Sequence, residues 1–126
     1  MREIIIIVIV IVLVSAGSIF TQKYLEKTSD ELTAKLEELK NEIKGENFET
    51  ADSISSEVLA KWQEIKHNWS MVVVHEELDN IELAILGVKG SIEAQNSEDG
   101  LVEIEKSMFL VSHIKEKEAF KIKNIF

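Results

Sequence analysis

Residues Ile4 to Phe20 read IIIIVIVIVLVSAGSIF, and no charged side chain follows until Lys23. At about 1.5 Å per residue, a helix of this uncharged length just spans a hydrocarbon core of about 30 Å. Ile/Val-rich runs also resemble buried core strands, but a strand this long would far exceed the usual five or six residues. The expected first element is therefore a single transmembrane helix over residues 1–22, followed by an acidic helical domain over 23–126. Ile4, Ile7, Val10, Leu13, Ile19 and Phe20 are among its anchoring side chains.

The same segment also has features of a secretory signal peptide. It has a short n-region in Met1-Arg2-Glu3, an apolar h-region, and Val14-Ser15-Ala16 as a small-residue cleavage site. The apolar run continues past that site through Ile19 and Phe20, and no polar c-region precedes Ala16, so the uncleaved anchor is the favoured reading. Counting Lys and Arg alone slightly favours an inside location for Lys23 and Lys27. The N-terminal tail is only three residues, however, and short-tailed bacterial anchors usually leave the large domain outside. The expected location is the cell membrane, single-pass, with the helical domain extracytoplasmic and with Tyr24 and Phe20 at the lipid–water interface.

About 100 residues remain after the anchor, enough for one compact domain. There is no cysteine, which excludes disulfides, thiolate metal sites and lipid attachment to cysteine, and no proline, which favours long helices. The net charge is −9 and the only arginine is Arg2. That balance argues against nucleic acid, whose phosphates need clustered Lys and Arg. It also argues against a domain lying flat on anionic lipid.

Helical spacing runs through the remaining chain. Leu25, Thr28, Leu32, Leu36, Leu39 and Ile43 recur at intervals of three and four, with Glu31 and Lys35 as a favourable i,i+4 pair. Thr28 and Glu31 are also placed as a capping box, so a break near Thr28 stands beside a continuous helix. Gly45-Glu46-Asn47 is a stop, with Gly45 suited to a left-handed cap and Asn47 to the next start. One long stripe then runs from Phe48 through Ala51, Val58, Trp62, Ile65, Trp69 and Val72 to Leu78, Ile81, Ile85, Val88 and Ile92. Met71 to Val74 are consecutive and apolar, which implies cover on more than one side. Gly87 and Gly90 suit close helix contact, a kink, or fraying before the turn. Gln95 to Gly100 forms the second turn, with Ser97 as N-cap. Leu101, Ile104, Met108, Val111 and Ile114 carry the last stripe, and Phe109 and Leu110 widen it. Lys115, Lys117, Lys121 and Lys123 suit the dipole at that helix's C-terminal end. The expected fold is all-α: a transmembrane helix followed by an antiparallel bundle of about three helices, the middle one longest.

The polar cluster of most interest is His75-Glu76-Glu77-Leu78-Asp79 with Glu82. Antiparallel counting about Ser97 sets His113 opposite Ile81 and Glu118 opposite Glu76. His75, Asp79, His113 and Glu118 are therefore the candidate metal ligands, in the manner of carboxylate bundles. The Glu-x-x-His and His-Glu-x-x-His spacings are both absent, so no metal, cofactor or catalytic residue is assigned. A register-fixing ion pair or solvated acids is the plainer reading. Trp62 and Trp69 share a face and read as core before ligand pocket, and His67 reads as surface.

The N-terminal span, the Trp62…Trp69 pair, His75-x-Glu77-Leu78-Asp79-x-Ile81-Glu82, His113-Ile114-x-x-x-Glu118 and the Asn124-Ile125-Phe126 end together resemble an uncharacterised family, domain of unknown function 4363. The resemblance implies a small membrane-anchored helical protein of Gram-positive, largely spore-forming bacteria. It supplies no catalytic residues. It directs attention to His75, Glu77, His113, Glu118 and the Asn124-Ile125-Phe126 tip, which is apolar enough to tuck against the bundle. The leading functional expectation is a non-enzymatic interaction protein, held to the bilayer by its N-terminal helix and binding another membrane protein or itself. The alternative is an extracytoplasmic domain that senses a ligand or metal.

Overall fold

The stripe Leu25, Thr28, Leu32, Leu36, Leu39 and Ile43 is buried as its spacing predicts, but the helix that carries it begins at Arg2. The computed structural model describes residues 1–125. Among them it has four helices: α1 (Arg2–Lys44), α2 (Phe48–Trp69), α3 (His75–Glu93) and α4 (Ser97–Ile125). α1 packs on α2 and α4, and α3 packs on the same two, giving a square of antiparallel neighbours. The buried faces of all four meet in one core, from Leu25 and Trp69 at one end to Ile43 and Ile92 at the other.

α1 is 43 residues long, about 65 Å at 1.5 Å per residue. It does not break at Thr28. The Thr28 hydroxyl donates instead to the Tyr24 carbonyl one turn back, at 2.8 Å, and the capping box does not form. Ile4 to Val14 are each 51–66% exposed, so the apolar run projects beyond the bundle. This is the one helix long and apolar enough to cross a membrane among the described residues, by length and composition, a test that an N-terminal signal sequence also meets.

The expected long middle helix is two helices. α2 ends at Trp69, and the Trp69 carbonyl accepts from both the Val72 and Val73 amides in the turn that follows. Val73 alone turns inward, while Met71, Val72 and Val74 are exposed, so the expected cover on several sides is not there. Three successive valines are poor helix formers, and beyond Leu25 α1 offers no further buried position for a longer α2 to pack on. The Glu31–Lys35 pair is also replaced. Both side chains reach across to α2, Glu31 to Lys61 at 3.0 Å and Lys35 to Glu57 at 2.9 Å.

The two end turns are alike. At the first, the Asn47 amide donates to Glu42 and the Glu46 amide to Ile43. At the second, the Asn96 amide donates to Ser91 and the Gln95 amide to Ile92. Both are Schellman closures, which put the left-handed residue just past the helix. That residue is Glu46 (φ 56°) and Gln95 (φ 54°), whereas Gly45 is right-handed at φ −79°. A side chain at Gly45 would meet Asn47 Nδ2 at 2.9 Å, so the glycine relieves crowding rather than strain. Asn96, not Ser97, caps α4, its Oδ1 accepting from the Asp99 amide at 3.1 Å.

α3 continues through Gly87 and Gly90. A Cβ at Gly87 would meet the Glu103 carboxylate at 2.8 Å, so α3 and α4 are close there, while one at Gly90 would meet nothing within 4 Å. We therefore expect Gly90→Ala and Gln95→Gly each to stabilise the domain by about 0.5–1 kcal/mol, measured by thermal or urea unfolding.

Candidate functional site

Trp62 and Trp69 are both fully buried, with ring centroids 5.8 Å apart at 89°, an edge-to-face pair. Each indole N–H has a partner. Trp69 Nε1 donates to Thr28 Oγ1 at 2.9 Å, and Trp62 Nε1 donates to Glu82 Oε1 at 3.3 Å. The pair is thus core, and it ties α2 to α1 on one side and to α3 on the other.

Glu82 Oε1 also accepts from Gln63 Nε2 at 2.9 Å and Lys66 Nζ at 3.1 Å. The Lys66 bond holds the carboxyl below the usual carboxylate range, against the opposing effect of burial and with help from Gln63 and Trp62. A depressed folded pKa makes the unfolded chain bind more protons, so this stability is present above the unfolded value and is lost as pH falls through the folded one. We expect Glu82→Gln to destabilise by about 1 kcal/mol at pH 7. In pH-resolved melts, the gap between the two proteins should close below about pH 4.

Counting about Ser97 gives the right register for α3 against α4. Glu77 Oε1 accepts from Lys117 Nζ at 2.8 Å, and the second Glu77 oxygen is buried without a partner among the described residues. The faces, however, do not converge. Glu77 points at α4, so His75 and Asp79, two residues to either side and about 200° round the helix, point away and are exposed. His113 is exposed on α4, stacked on Phe109 with centroids 6.1 Å apart. Glu118 is buried and accepts from Lys121 at 3.1 Å. Among the described residues no three His, Cys, Asp or Glu side chains gather as a metal would require. His67 is exposed and Asn124 is exposed, while the Ile125 side chain and Phe126 lie outside the described residues. Lys115, grouped at the sequence level with the helix dipole, donates to Asp30 of α1 at 2.7 Å.

The outer face of α4 also carries large apolar side chains that the core does not use. Val102, Phe109 and Phe120 are 65%, 68% and 65% exposed. Val102 and Phe109 are seven residues apart, as are His113 and Phe120, so the four share one strip on the side away from buried Ile104, Val111 and Ile114. Exposed Leu83 and Leu86 add apolar surface on neighbouring α3. Phe109, expected from its spacing to widen the core stripe, lies instead on this outer strip with Val102 and Phe120, which the core periodicity does not mark. The i,i+7 spacing opposite the core stripe was the signal available.

No curated protein and no solved structure matches this chain. A family model described as a domain of unknown function (DUF4363) matches residues 19–125, nearly all of the bundle, and the chain belongs to that family.

Proposed function

We propose that this is a membrane-anchored, non-enzymatic helical domain that binds another membrane protein, or a second copy of itself, through the outer face of α4. The observation that carries the reading is the strip Val102, Phe109, His113 and Phe120, three apolar side chains and an imidazole on one face that nothing among the described residues covers. The projecting apolar part of α1 supports the anchor, and the charge of −9 supports a protein partner over nucleic acid. An anchored pair would have both chains pointing the same way, so in self-association α4 would meet α4 in parallel and each strip residue would meet its own counterpart.

The test is crosslinking of the full-length protein in native membranes, followed by detergent purification and mass spectrometry. Glu116 lies on the same strip, and the chain has no native cysteine. Glu116→Cys therefore places a thiol on the seam without removing an apolar contact. One reproducible heterologous partner, or a Glu116→Cys disulfide dimer, supports the proposal. Neither product, at native expression, overturns it.

A further inference from the structure

We infer that the turn between α2 and α3 is a second membrane contact, with Met71, Val72 and Val74 entering the interfacial layer of the bilayer that α1 crosses. The inference rests on the anchor reading and adds a site to it. Met71, Val72 and Val74 are 77%, 40% and 55% exposed, and Ser70 to Val74 carries no charge. Such a run at a tight turn has no reason to be apolar on account of the core, which takes only Val73.

The level of the turn is fixed by two bonds. Asn68 Nδ2 donates to Tyr24 Oη at 2.8 Å and Trp69 Nε1 to Thr28 Oγ1 at 2.9 Å, so the end of α2 lies beside the stretch of α1 where the apolar run has just ended. Met71 and Val72 then share a cleft of about 300 Å³ with Phe20, Thr21 and Tyr24. α4 reaches the same level, where Lys121 and Ile122 line a second cleft with Gly17, Ser18 and Thr21. Exposed Lys23 and Lys123 provide ammonium groups at this level, where lipid phosphates would lie, while Lys121 is paired with Glu118 of the same cleft. This continuity with the anchor selects lipid as the occupant, since a soluble partner would have to bind flush against the bilayer. The contact is shallow, because polar Asn68 and Ser70 precede the apolar residues and His75 and Glu76 follow them.

The experiment uses the full-length chain, whose lack of cysteine allows single-site labelling. Ile9→Cys, Met71→Cys, Val74→Cys and Glu98→Cys carry a nitroxide in vesicles of phosphatidylcholine and phosphatidylglycerol. Power saturation compares collisions with oxygen, which partitions into lipid, and with a water-soluble nickel chelate. The expected oxygen-to-nickel ratio is highest at position 9, several-fold above position 98 at 71 and 74, and lowest at 98. A lipid signal at 9 with 71 and 74 matching 98 overturns the turn contact and leaves the anchor standing. Water-like signals at all four positions overturn both.

Discussion

Trp69→Ala is expected to lower the unfolding free energy by about 3–5 kcal/mol, the range for removing a buried aromatic side chain. The indole is fully buried, meets Trp62 edge to face, and holds the last turn of α2 against Thr28. Domains of this size are stable by about 5–15 kcal/mol, so the loss is a large share of the total. It corresponds to a fall in Tm of about 15–30 °C. Trp69→Phe separates packing from the hydrogen bond. It keeps most of the ring, and Thr28 Oγ1 still donates to the Tyr24 carbonyl, so the expected loss is about 1–2 kcal/mol. Calorimetry or circular dichroism of the purified protein checks both values. A Trp69→Ala protein melting within a few degrees of the parent would mean that the aromatic pair does not close this end of the bundle.

The second large effect is on association. Val102→Asp combined with Phe109→Asp should abolish the crosslinked product while leaving the melting curve within about 1 kcal/mol of the parent. Both side chains are about two-thirds exposed, so the folded domain loses little when they change. A partner packed on the strip would instead face two carboxylates in a desolvated contact, which costs several kcal/mol and is enough to break most interfaces. The matched control is the same double change on α2, diagonally across the square from α4, for instance at exposed positions Ser53→Asp and Ala60→Asp, also seven residues apart, which should leave crosslinking intact. Loss of association only in step with loss of folding would remove the strip as the binding surface.

Periodicity made α1, α4 and both end turns legible, because each buries one stripe and each turn carries Gly, Asn or Ser. The break at Met71–Val74 had no such mark. It is set by where α1 stops offering a core, which is a tertiary length match rather than a local signal. Glu31 and Lys35 show the same competition, since their i,i+4 geometry is sound but the cations and acids of α2 are better placed. For the polar cluster, counting gave the axial level correctly and Glu77–Lys117 realises it. What counting could not give is the angle, and each residue along a helix turns the side chain by about 100°. His75 and Asp79 therefore miss α4 although they sit at the right height.

α1 serves both as the projecting apolar rod and as one wall of the core, with no glycine, proline or cap between Phe20 and Leu25 to act as a joint. It is therefore a drive shaft. Rolling the rod about its axis rolls the whole bundle, because Leu25 to Ile43 are keyed into the core. The compass bearing of the α4 strip, seen down the rod, is set by the number of residues between Phe20 and Leu25. One residue added there would swing that bearing by about 100° and lift the bundle by about 1.5 Å, while every core contact stayed in place.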